Sequence, residues 1–226
     1  MAITTNGKTL FTELFFLPLN NDSITLHWAG SVTTTATPLA RLQIFFEINS
    51  IKKDLRTLMD SMQHYYADEV HLYEVRIEKD SVRDSTLIST TTTTNGYPAT
   101  ETIYQLIDEL NSYAEKNGAK QSGIPMLNIN TQDSISYDTQ VALPVDKKLK
   151  DSGKIVYRWM LGRGNILVTE VVGGPYNIKK AFTEMEKYVQ DFRRTAPAIP
   201  FQSLVTDRRK EPDTSKWITK VYWPVM

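Results

Sequence analysis

The sequence contains no cysteine, which excludes disulfides, thiolate nucleophiles and cysteine metal sites at once. It also lacks an excess of either charge. Twenty-six Lys and Arg residues balance twenty-six Asp and Glu, so no net field draws the chain to nucleic acid or to an anionic membrane. Its short basic clusters, Lys147-Lys148-Lys150, Arg193-Arg194 and Arg208-Arg209-Lys210, lie next to Asp or Glu and read as solvated turns and helix ends. No apolar run approaches the roughly 18 residues of a membrane span. The polar opening MAITTNGKT does not resemble a secretion signal. These absences describe a soluble chain with no membrane segment; the lack of cysteine leaves the compartment open, and the cytoplasm is the location expected.

Histidine is scarce as well. His27, His64 and His71 share no metal-ligand spacing, so no metal site and no cofactor is expected. The glycines of "GRG" (162–164) and "GG" (173–174) lack the following Lys-Ser/Thr of a phosphate loop and read as a bend and a helix-entry turn. No Ser–His–Asp set emerges, so no catalytic residue is assigned. No helix-turn-helix segment is visible either, so direct nucleic-acid binding is not expected.

What is present is β-rich and repetitive. "LFTELFFLPL", "SITLHWAGSVTTT" and "LARLQIFFEI" are rich in β-branched and aromatic residues and read as strands, with "NND" and "TP" as turns. A helix follows, its stripe formed by Ile51, Leu55, Leu58, Met59 and Met62, with Asn49 or Ser50 as N-cap. "VHLYEVRIE" and "STLISTTTTT" read as strands. A second helix carries Ile103, Leu106, Ile107, Leu110 and Ala114, and two further strands close the unit in "GIPMLNINT" and "SYDTQVALPV".

The third helix carries Ile178, Ala181, Phe182, Met185 and Val189, each 75 positions after its counterpart in the second helix (178 − 103, 189 − 114). Ile124-Pro125 returns at Ile199-Pro200, and "TQVALPV" (139–145) returns as "TKVYWPV" (219–225). The closing strands are 80 apart (219 − 139), so the second copy has five extra residues, in "DRRKEPDTSK", where a loop absorbs them cheaply. The pattern predicts an α+β protein with two strand–helix–strand–strand repeats, 70–150 and 151–226, about a pseudo-twofold axis. Antiparallel sheets then form one layer with a ligand cleft between the copies. Residues 1–69 form a separate segment of strands plus a helix.

At "VTEVVGGPY…AF…PFQSLVTDRRKEPDTSKWITKVYWPV" the chain resembles the GyrI-like family of small-molecule-binding domains, which includes effector-binding halves of drug-responsive transcription activators. The resemblance spans about residues 70–226 and implies tandem repeats with a ligand cleft. Residues 1–69, strands followed by a long helix, resemble the C-terminal part of START-like (polyketide cyclase-like) domains, and Trp28, Pro38 and Arg41 are similar to sequences that precede GyrI-like domains in some bacterial proteins.

The second repeat is dense in aromatic residues. Trp159, Tyr176, Phe201 and Tyr222 are the candidates to stack on a ligand, each such contact being worth on the order of 0.5–2 kcal/mol. The resemblance implies a buried glutamate in the strand after the second helix of the domain; this chain has Gln202 there, and Lys220 on the final strand. Glutamine carries no negative charge and is no general base, which disfavours a cationic ligand and hydrolysis and admits a neutral or anionic ligand. Glu170 is a further candidate for the cleft, whereas Glu184 and Glu186 are assigned to solvent. The function expected is binding of a small hydrophobic molecule by a stand-alone sensor or sequestering protein. A hydrolase of a reactive xenobiotic and a module that inhibits a protein partner are the alternatives.

Overall fold

The computed structural model describes residues 2–5, 8–19, 23–31, 37–83, 86–131, 135–160 and 162–226. The "NND" turn predicted at 20–22 lies outside the described residues. The chain divides into two compact units, Met1–Gln63 and His64–Met226.

The first unit is a three-stranded antiparallel sheet in the order β1 (Ala2–Thr5), β2 (Lys8–Pro18), β3 (Ile24–Ser31), followed by α1 (Pro38–Tyr66). The 29-residue α1 overturns the strand expected at 39–48. Pro38 suits a first helical turn because its missing N–H would have no partner there, and Arg41 N–H donates to Thr37 O at 2.9 Å. Leu39, Leu42 and Phe46 continue at helical spacing into the stripe that begins at Ile51.

The second unit opens with α2 (Glu69–Tyr73) where a strand was expected. Asp68 caps it by accepting from Val70 N–H at 3.0 Å, and Glu74 ends it in the left-handed region at φ 54°. Tyr73 anchors this turn. Its ring meets Tyr188 edge-on at 5.2 Å and its hydroxyl donates to Asp191 at 2.8 Å.

Two strand–helix–strand–strand units then follow. The first is β5 (Thr86–Asn95), α3 (Thr100–Lys116), β6 (Met126–Thr131) and β7 (Ser136–Pro144). The second is β9 (Asn165–Val172), α4 (Pro175–Asp191), β10 (Phe201–Leu204) and β11 (Ile218–Pro224). The helices begin and end 75 positions apart (175 − 100, 191 − 116). The strands preceding each unit are β4 (Glu78–Ser81) and β8 (Val156–Trp159). They cross over: β4 pairs with β9 of the second unit and β8 with β5 of the first.

The result is one eight-stranded antiparallel sheet in the order β4-β9-β11-β10-β6-β7-β5-β8, which reads as matched elements outward from its centre. Across that centre Gln202 pairs with Leu127, and these two residues are themselves 75 positions apart (202 − 127). The pseudo-twofold axis therefore passes through this pair. Both helices cover the same face. α3 packs Ile103, Ile107 and Leu110 on Ile88, Leu127, Val141 and Leu143, while α4 packs Ile178, Ala181 and Met185 on Leu167, Val171 and Val221. The opposite face carries a smaller cluster of Leu87, Met126, Ile166 and Phe201. No helix among the described residues is long and apolar enough to cross a membrane.

Candidate functional site

Between the two repeats, on the helical face, lies a cavity of about 440 Å³, within the range of small-molecule sites. The first repeat contributes Tyr97, Asn128, Ile129 and Tyr137. The second contributes Tyr176, Phe182, Gln202 and Trp223, with Lys179 and Glu186 among its exposed groups. Tyr97 and Tyr137 meet edge-on at 5.9 Å, forming an aromatic corner. A larger space of about 1020 Å³ in the first unit lies along α1, a helix with no buried residue, and presents Lys52, Lys53, Arg56 and Asp60. It lacks a buried polar group that converges on it from the helix.

Gln202 is 3% exposed and sits on the central strand. Its Oε1 accepts from Arg208 Nη2 at 3.0 Å, and the same Nη2 donates to Thr219 Oγ1 at 3.2 Å. Arg208 is itself 5% exposed, with its guanidinium over the Trp217 ring at 4.5 Å. The turn assignment made for Arg208 from its neighbours is thereby corrected. Flanking charges do point outward, since Arg209 pairs with Asp207 and Asp108, but Arg208 turns inward beneath them.

The five-residue insertion explains how. The β10–β11 hairpin crosses onto α3 of the first repeat, where Arg208 N–H donates to Tyr104 Oη at 2.7 Å and Arg209 lies 4.4 Å above the Tyr104 ring. Burial pulls the Arg208 guanidinium below its usual pKa, opposed by the Tyr97 and Tyr104 hydroxyls. Although about half of Tyr97 meets solvent, its hydroxyl lies deep enough that burial raises its pKa, with the charge of Arg208 acting in the opposite direction. Among the described residues no carboxylate pairs with Arg208.

The sequence candidates divide between the two faces. Gln202 and Tyr176 line the cavity, Tyr176 at its rim with 80% of its surface exposed. Phe201 and Tyr222 stack on each other at 5.1 Å on the opposite face, because alternate strand residues point to opposite sides. Trp159 is 62% exposed at the end of edge strand β8, away from the cavity. Glu170 lies on the outer surface beside Lys220, at 4.0 Å. Glu184, assigned to solvent, is buried and paired with Lys187 at 2.7 Å, while Glu186 is exposed. Tyr97 and Tyr137 were not singled out; Phe182 and Trp223 belong to the aromatic residues of the second repeat but were not among the candidates. No group of three or more His, Asp or Glu among the described residues is arranged to hold a metal.

No family model and no curated protein matches the chain. Among solved structures it is similar to EcmrR in its DNA complex, at 16% identity and a TM-score of 0.57, with 82% of this chain and 69% of that one covered. It is similar to the isolated EcmrR C-terminal domain at 14% identity and a TM-score of 0.55, over 67% of this chain and 98% of that domain. SAV2435 bound to tetraphenylphosphonium aligns at 16% identity and a TM-score of 0.40, over 67% and 94% of the two chains. The first two likenesses establish a shared fold.

Proposed function

We propose that the protein is a receptor for a small aromatic molecule, held in the cavity between the repeats as a sensor or sequestering protein. The observation that carries this reading is the combination of aromatic walls from both repeats with the buried amide of Gln202 on a central strand. Apolar walls supply affinity by burial and a convergent polar group supplies orientation. The resemblance of residues 70–226 to effector-binding domains supports the same reading. Gln202 has no ionisable group to activate water, so the reading is binding rather than hydrolysis.

A thermal-shift screen with neutral, anionic and cationic bicyclic aromatics tests it. A ligand at a hundred times its Kd adds about 2.7 kcal/mol, which moves Tm by roughly 5–10 °C for a domain of this size. Tyr137→Ala should weaken that ligand about tenfold by removing one stacking wall, whereas Trp159→Ala should leave it unchanged. No shift with any ligand, or loss of binding in Trp159→Ala alone, would overturn the assignment.

A further inference from the structure

We propose that the cavity selects an aromatic carboxylic acid, with its carboxylate on the Gln202 amide; the inference rests on the receptor reading above. Arginine is only a donor, so the Gln202 oxygen must face Arg208 and its NH2 must turn away from it. That NH2 makes no hydrogen bond with any described residue, although Gln202 is more than nine-tenths buried and lines the cavity. An unpartnered donor that opens on such a wall, beside the buried and likewise unpartnered Trp223 Nε1, is matched by an acceptor in the ligand.

The charge of that acceptor follows from Arg208. Its guanidinium is buried, its Nη2 is held by two neutral oxygens, and its Nη1 and Nε donate to no described residue. The other charges on the cavity wall, Lys179 and Glu186, are exposed and of opposite sign, so they offset each other and are screened by salt. What remains near Gln202 is one uncompensated positive charge in a low-dielectric place, which favours an anion and repels a cation. Tyr97, Tyr137, Phe182 and Trp223 leave a planar ring system as the complementary body.

Three ligands of one shape and three charges test this on the full chain: 2-naphthoate, 2-naphthamide and 2-naphthamidinium, titrated by calorimetry. The wild-type protein should bind 2-naphthoate about tenfold or more tightly than the other two, as charge-assisted bonds exceed neutral ones. In Gln202→Glu the new carboxylate neutralises Arg208, and the preference for naphthoate should disappear. Gln202→Met, which keeps the volume and removes the NH2, should lose it as well. Equal or tighter binding of naphthamidinium would overturn the acid assignment while leaving the receptor reading intact. Naphthoate binding unaffected by both variants would place the acid elsewhere and overturn it too. If none of the three binds, the acid assignment is overturned, and the receptor reading stands or falls with the wider thermal-shift screen. The comparison among ligands on the wild-type chain stands whether or not a variant folds.

Discussion

At the residue scale the unusual feature is a buried arginine whose partners are all neutral: an amide oxygen, a hydroxyl and an indole ring. Gln202→Leu would copy what the pseudo-symmetric position already has, since Leu127 is its counterpart and is fully buried. It would also strip Arg208 of an acceptor. We predict a loss of about 1–3 kcal/mol, read as a drop in the urea midpoint. Adding Arg208→Met removes the stranded cation, so the double variant should regain at least half of that loss. Two independent, additive losses would contradict the coupling. None of this was legible in "TDRRKEPD". Three adjacent cations among carboxylates read as a solvated turn, and Arg209 behaves that way. What sends Arg208 inward is its long-range registry with Gln202, Thr219 and Tyr104, which no local pattern records.

At the scale of elements, what positions Tyr176 and Lys179 on the cavity is the turn into α4. Gly173 adopts φ +125°, and a Cβ there would come within 2.3 Å of Asn177 Nδ2, which donates to Val172 O at 3.0 Å. Gly173→Ala should cost about 1–3 kcal/mol and weaken ligand binding in the same variant. Gly174→Ala, at φ −82°, meets only Thr214 at 3.2 Å and should cost less. Equal losses in urea titrations would refute the role given to Gly173. The helices of the two repeats were legible because five apolar residues in each repeat the same spacing, and both helices bury that stripe. Two segments misled for opposite reasons. "LARLQIFFEI" is rich in aromatic and branched residues, which mimic a strand, but its apolar positions continue a helical stripe across Pro38–Tyr66. "VHLY" alternates like a strand, yet the cap at Asp68 and the anchoring of Tyr73 on Tyr188 and Asp191 make it one helical turn.

For the whole molecule, two copies of one unit build a symmetric sheet around an asymmetric centre. The sheet order and the reciprocal placement of β4 and β8 preserve the twofold pattern to its edges. On the axis, the pattern breaks: leucine on one side, glutamine on the other, with the longer second hairpin bringing Arg208 to the glutamine. A symmetric pair of units would offer either two equivalent sites or one site with twofold character. Here only the second repeat supplies the polar pole, so one ligand per chain is predicted. The aromatic candidates were harder to place than the repeat, because strand alternation divides neighbours such as Phe201 and Gln202 between two faces and sequence alone does not say which face is hollow.

The most direct measurement follows the Gln202 side-chain NH2 itself. Protein labelled with 15N at glutamine side chains is titrated with 2-naphthoate, and the Gln202 signal is assigned by its absence in Gln202→Glu. The account predicts that this signal shifts and saturates at one ligand per chain, with 2-naphthamidinium at the same concentration moving it far less. Saturable naphthoate binding that leaves the Gln202 signal in place would contradict it.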